Sequence, residues 1–168
     1  MLIGFMATGK STVGRLIAAH MGRSFIDLDS AVEVQAGISV ADIFRRQGEA
    51  GFRKQESAAL TTALQTSDAV IATGGGAACR EDNLQNMLAA GFVVALTADP
   101  AEVIRRVGAV SGRPLLDGAQ DPQGQAMRLL AQREPFYARA HARFDTVGRP
   151  PEQVAADVIT AYKERAER

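Results

Sequence analysis

The chain has 168 residues, 46% apolar and 23% charged, with Lys plus Arg and Asp plus Glu both at 19. That is one ordinary domain with no net basic field for nucleic acid or an acidic membrane, so small-molecule partners are expected. The lone Cys79 excludes an internal disulfide, the two histidines show no ligand spacing, and no apolar run is long enough to cross a membrane, which together predict a cytoplasmic protein without zinc.

In chain order, Met1 to Ile3 reads as a strand feeding a glycine turn, and a helix is predicted from Lys10 to Met21, with Val13, Leu16, Ile17 and His20 on one face and Gly22 as its stop. Only three residues precede Gly4, whereas strands average about five or six. The expectation is therefore a start downstream of the native one, or a fold that tolerates a weakened central strand. Phe25–Leu28 follows as a strand, then three helical stretches from Ser30 to Leu64, punctuated by Gly37, Gly48 and Gly51, with Ser39 as an N-cap.

Strands are predicted at Ala69–Ala72 and Phe92–Leu96, and a helix from Pro100 to Val107 with proline in its first turn. A Gly, Pro and Asp-rich loop from about 108 to 122 is too long for a simple connector. A helix from about Gln123 to Ala142, a strand at Phe144–Val147 and a terminal helix at Pro151–Ala166 complete the chain. Strands alternating with helices imply a parallel sheet covered on both faces.

Gly4-Phe5-Met6-Ala7-Thr8-Gly9-Lys10-Ser11 matches G-x-x-x-x-G-K-[ST] between a strand and a helix. Here glycines let the backbone wrap a phosphate, amides and helix dipole attract its charge, Lys10 reaches the β and γ oxygens, and Ser11 meets Mg²⁺. The apolar strand in the place where P-loop motors carry a metal-binding aspartate ends in Thr73 and glycines; Asp27-x-Asp29 stands instead at the end of the second strand, where residues two apart share a side. One carboxylate suits Mg²⁺ and the other an acceptor hydroxyl, although Asp29 fits equally well as the N-cap of the next helix. Arginine dominates the basic set, since Lys10, Lys54 and Lys163 are its lysines. This suits bidentate contacts to phosphate or carboxylate, and biased genomic composition explains it equally well. Arg53 and Arg133 lie on helices where either is also an ordinary solvated charge, Gly74-Gly75-Gly76 closes a strand as a turn or as a close backbone approach to a ligand, and Arg113 sits in the long loop within reach of a transferring phosphoryl group. Cys79 reads as a small buried hydrophobe.

These segments together resemble the shikimate kinase family over essentially the whole chain. The resemblance rests on the phosphate loop running into Ser11-Thr12-Val13-Gly14-Arg15-Leu16, Asp27-Leu28-Asp29, Ser39-Val40-Ala41-Asp42-Ile43-Phe44, Gly51-Phe52-Arg53, Ala72-Thr73-Gly74-Gly75-Gly76, Arg113-Pro114-Leu115-Leu116 and Arg133-Glu134-Pro135-Phe136-Tyr137, in order. It implies a three-layer α/β P-loop kinase fold like that of nucleoside monophosphate kinases. Five parallel strands run in order 2-3-1-4-5, in a single domain with a substrate-binding segment at about 30–64 and a lid at about 108–122.

It further implies ATP-dependent phosphorylation of shikimate by a monomer. Catalysis would fall to Lys10, Asp29 and Arg113. ATP would be bound by Gly4, Ala7, Thr8, Gly9, Lys10, Ser11, Thr12, Arg106, Arg113 and Arg149, and shikimate by Asp29, Arg53, Gly74, Gly75, Gly76 and Arg133. Ser11 and Asp27 would hold Mg²⁺. Ala7 departs from the family, which has glycine there, and Pro150-Pro151 alters the adenine loop. The alternatives are another small-metabolite kinase, such as a gluconate kinase, or an inactive shikimate- or nucleotide-binding regulator.

Overall fold

The computed structural model describes residues 1–107 and 121–167. Its elements are β1 (Leu2–Ile3), α1 (Lys10–Met21), β2 (Ser24–Asp27), α2 (Leu28–Ala36), α3 (Val40–Ala63), β3 (Ala69–Ala72), α4 (Glu81–Ala90), β4 (Val94–Thr97), α5 (Pro100–Val107), α6 (Pro122–Tyr137), β5 (Ala142–Asp145) and α7 (Pro151–Ala166). The strands form one sheet in the order β2-β3-β1-β4-β5, and every pairing is parallel.

Alternation along each strand supplies both cores. Leu2, Val70, Val94 and Leu96 face Val13 and Ile17 of α1 and Val154 and Val158 of α7. Ile3, Ile71 and Ala95 face Ile43, Phe52 and Leu60 of α3, Leu84 and Met87 of α4, and Val103 of α5. A sheet greasy on both sides is stable only when helices cover both, as they do here. No helix among the described residues is long and apolar enough to cross a membrane.

β1 is as short as its sequence suggests, yet it is the middle strand: Leu2 pairs with Ala72 on one side and Val94 on the other, and Ile3 with Ala95. At the amino end of the sheet a cavity of about 400 Å³ opens beside it, bordered by Leu2, Ile17, Leu64, Val70, Ile159 and Tyr162. A cluster of rings and cations lies next to this cavity. Phe92 stacks on His141, Arg165 lies over Phe92, and Arg23 lies over Tyr162 while donating to its hydroxyl. His141 Nδ1 accepts the Val93 N–H at 3.0 Å, which joins the starts of β4 and β5.

Several expected boundaries move for identifiable reasons. β2 ends at Asp27, because the Asp27 carboxylate accepts the Ser30 N–H and caps α2, so Leu28 and Asp29 are helical and the shared-side argument for a strand does not apply. β4 begins at Val94 rather than Phe92, whose carbonyl is taken by the Met1 amine at 2.7 Å. α6 stops at Tyr137 instead of Ala142, since Ala142 is drawn into pairing with Val94. β5 accordingly runs over Ala142–Asp145 rather than Phe144–Val147. His20 is exposed, and Gly14 and Ala18 take its place on the buried face of α1. Gly48, with φ 69°, kinks α3, whereas Gly51 lies within the helix.

Candidate active site

β1, β2 and β3 all end at one edge of the sheet, so the loops after them converge there, as ligand sites in open α/β sheets do. Gly4 opens the loop after β1 with φ 134°, and any side chain there would strike the Leu96 carbonyl. Gly9 closes it in the left-handed region at φ 87°, which launches α1 with its first amides facing the loop. Ala7 also sits at positive φ, 59°, where an L-residue carries strain of about 1 kcal/mol. The departure from glycine therefore falls on a position whose backbone asks for glycine.

Within this loop the polar groups hold one another. Lys10, buried, donates to the Gly4 carbonyl at 2.9 Å and the Phe5 carbonyl at 2.6 Å, and the buried Thr8 hydroxyl donates to Phe5 at 2.9 Å. Ser11 Oγ donates to Asp27 Oδ2 at 2.5 Å, bringing a hydroxyl and a carboxylate together at the N-terminus of α1. Arg106 reaches across from α5 to donate to the Ala7 carbonyl at 3.2 Å and to both the hydroxyl and carbonyl of Thr146 at 3.0 Å. It thereby ties the loop after β1 to the loop after β5. Arg149 stays apart from this group, donating to Asp157 and to the Asp145 carbonyl, and Thr12 is exposed on the first turn of α1.

The second half of the site gathers around Gly74-Gly75-Gly76, which follow β3. A Cβ on Gly74 would lie 2.6 Å from Asp29 Oδ1 and from Glu56 Oε1; one on Gly75 would press on Met6 N and Arg133 Nη1; one on Gly76 would collide with the Arg53 guanidinium. The absence of side chains is thus what lets two carboxylates and two guanidiniums close in on one loop. Arg133 is buried at 7% exposure with its guanidinium 5.5 Å from the Phe5 ring, and so lies between the two halves. Arg53 is held by Glu49 at 3.1 Å and by Glu56 at 2.7 Å.

Two members of this cluster were not among the residues singled out from sequence. Glu56 is fully buried; burial pushes its carboxyl up while Arg53 pulls it back. The one available signal was its place three residues after Arg53 on a helix, where ion pairs form. Tyr137 is also buried, and its hydroxyl donates to the Gly75 carbonyl. Cys79 differs from expectation: it is half-buried, with its thiol 3.9 Å from the same carbonyl and raised in pKa by burial. Arg113 and the lid around it lie outside the described residues.

A hydroxyl and a carboxylate beside a phosphate-type loop, next to two arginines and two further carboxylates around the triple glycine, form a surface chemically suited to a nucleotide on one side and an anionic, hydroxylated molecule on the other. A family model described as shikimate kinase matches residues 6–163. The shikimate kinase of Symbiobacterium thermophilum is 44% identical, covering 99% of this chain and 97% of its own, and that of Geobacter metallireducens is 43% identical, covering 97% and 90%. A solved structure of shikimate kinase from Acinetobacter baumannii in complex with shikimate superposes with a TM-score of 0.94 at 32% identity, covering 98% of this chain and 92% of that one. A gluconokinase from Sinorhizobium meliloti, with a TM-score of 0.64 at 17% identity and covering 99% and 91%, shares the fold.

Proposed function

The chain belongs to the shikimate kinase family, and on that premise we propose that it transfers the γ-phosphate of ATP to a ring hydroxyl of shikimate, giving shikimate 3-phosphate. The observation that carries this reading is the triple-glycine loop, around which Arg53, Arg133, Asp29 and Glu56 converge next to the phosphate loop. Guanidiniums of this kind suit a planar carboxylate, and a carboxylate beside them suits ring hydroxyls.

In this reading the nucleotide phosphates take the place of the bonds that Lys10 makes to the Gly4 and Phe5 carbonyls. Lys10 and the amides of the loop and α1 then face the β and γ oxygens. Ser11 and Asp27 would hold Mg²⁺, since the hydroxyl and carboxylate that meet there are the hard oxygen ligands it takes. When bound, that ion offsets negative charge on the phosphates.

Arg53, Arg133 and the amides of Gly75 and Gly76 fix the carboxylate of shikimate, and Asp29 orients the attacking hydroxyl. As the new P–O bond forms, the bond from the γ-phosphorus to the β-bridging oxygen breaks, ADP departs, and the hydroxyl proton passes to Asp29. Positioning and charge neutralisation supply most of the acceleration, because phosphoryl transfer asks little covalent chemistry of the protein. Arg106, already spanning the loops after β1 and β5, borders the base of the nucleotide.

The test is ADP release with and without shikimate. Release should be strongly shikimate-dependent, stop on chelation of Mg²⁺, and barely respond to gluconate or nucleoside monophosphates. Equal rates with gluconate would overturn the assignment.

A further inference from the structure

Tyr137 has no role in the chemistry above, yet its surroundings are those of the acceptor pocket. It closes α6 one turn after Arg133, so the two residues share a helix face. Its ring is 1% exposed, and a phenol so deeply buried needs a partner for its hydroxyl. The hydroxyl donates to the carbonyl of Gly75, the central glycine of the acceptor loop and a residue far away in sequence, and it also neighbours the Arg133 guanidinium and the Cys79 thiol.

That choice has a geometric consequence. The described chain contains no cis peptide bond, and in a trans peptide the carbonyl and the following N–H point in opposite directions. Holding the Gly75 carbonyl toward Tyr137 therefore turns the Gly76 N–H away from it. The Arg53 guanidinium packs directly on Gly76, so this amide and the arginine are neighbours. The Ala77 N–H closes a turn on the Gly74 carbonyl at 3.3 Å, and the Gly75–Gly76 peptide is the middle of that turn. A central peptide flanked by two glycines can still flip within such a turn, and the bond to Tyr137 selects one of its two orientations.

We propose that Tyr137 is a positioning residue for the acceptor: its hydroxyl anchors the Gly75 carbonyl and thereby presents the Gly76 N–H, beside Arg53, to the carboxylate of shikimate. This rests on the reading of the loop as the shikimate site. α6 then serves the same carboxylate twice, directly through Arg133 and at one remove through Tyr137.

Tyr137→Phe keeps the ring and deletes the hydrogen bond. Its melting curve is measured first, and titrations are run at a temperature where both proteins are folded. The Kd and KM for shikimate should rise about tenfold, while kcat and the KM for ATP stay within about twofold of the parent. With the methyl ester of shikimate, whose carboxylate charge is gone, variant and parent should agree within about twofold. In nitrogen-labelled protein without ligand, the Gly76 amide resonance should shift on substitution. This readout does not depend on the substrate, so a parent protein that ignores shikimate would sink the functional reading while leaving the anchoring of the loop visible. An unchanged shikimate Kd, an equal penalty on the ester, or an unmoved Gly76 resonance would each overturn the proposal.

Discussion

At the carboxyl end of the sheet, polar side chains are satisfied by the loops that surround them: Lys10 on the Gly4 and Phe5 carbonyls, Ser11 on Asp27, Arg106 on Ala7. At the amino end they are satisfied by rings and by the ends of strands, as with Arg23 on Tyr162, Arg165 over Phe92 and His141 on the Val93 amide. Bonds of the first kind involve groups that a phosphate, a cation or a carboxylate can replace one for one. Bonds of the second kind tie β4, β5 and α7 together and have no such substitute. The same sheet thus has one edge built for exchange and another built for cohesion. Which bonds a ligand can displace, more than how many bonds there are, distinguishes a site from a seam.

The largest expected effects lie at the carboxyl edge. Lys10→Ala and Asp29→Asn should each lower kcat/KM by about a hundredfold or more. Lys10→Ala should weaken binding of an ATP analogue, whereas Asp29→Asn should leave it nearly intact. Melting temperatures should stay close to the parent's in both, because these residues serve exchange. A collapse of the fold in either variant, or a large loss of nucleotide affinity in Asp29→Asn measured by calorimetry, would break the contrast.

An intermediate effect separates the two edges by pH. Burial raises the folded-state pKa of Glu56, with Arg53 opposing, so its contribution to stability is complete below the unfolded value of 4.5 and is lost as pH rises through the folded one. Burial and Arg165 lower His141, so its contribution is present above the unfolded value of 6.5 and is lost as pH falls through the folded one. The geometry agrees, since a protonated Nδ1 can no longer accept the Val93 N–H. Stability measured across pH should therefore gain most from Glu56→Gln toward alkaline pH, and show its acid-side loss flattened by His141→Asn. Profiles parallel to the parent's in both variants would remove this distinction.

The first strand, the phosphate loop and the start of α1 were legible because each depends on local backbone needs: glycine at Gly4 and Gly9, then a helix as soon as the turn is complete. The strand order followed from the resemblance, since pairing partners leave no mark on neighbouring residues. Asp29 was placed on the right edge for the wrong reason, because nothing in Asp27-Leu28-Asp29 shows that the first aspartate caps a helix instead of extending a strand. Ala138 to Ala142 has the composition of a helix, and bonds to a distant strand end it: His141 with Val93 and Ala142 with Val94. Tyr137 stood in a segment that carries the resemblance, but its contact could not be read, because the partner is 62 residues away and is a main-chain carbonyl, which every residue possesses.

The smallest expected effect concerns strain, of which each edge holds one example. Among the described residues, Ala7 and Asp68 are the non-glycine positions with positive φ, at 59° and 53°. Ala7→Gly should stabilise the protein by about 0.5 kcal/mol in urea unfolding, as relief of left-handed strain outweighs the extra freedom of glycine in the unfolded chain. Asp68→Gly should give no gain, because aspartate tolerates this conformation and Asp68 pairs with Arg23 at 3.6 Å. Equal gains at both positions would show that the edges do not differ in this respect.

The protein has no tryptophan and two tyrosines, and the fold sends one to each edge: Tyr137 against the Gly75 carbonyl and Tyr162 beneath Arg23. The molecule therefore carries two native optical labels with nothing brighter to mask them. Near-ultraviolet dichroism in the tyrosine band, which vanishes when packing around a ring is lost, is the sum of one signal from beside the triple-glycine loop and one from the opposite seam. Replacing either tyrosine by phenylalanine leaves a spectrum that watches a single edge, so loosening of the two can be timed separately in one chain without any attached dye.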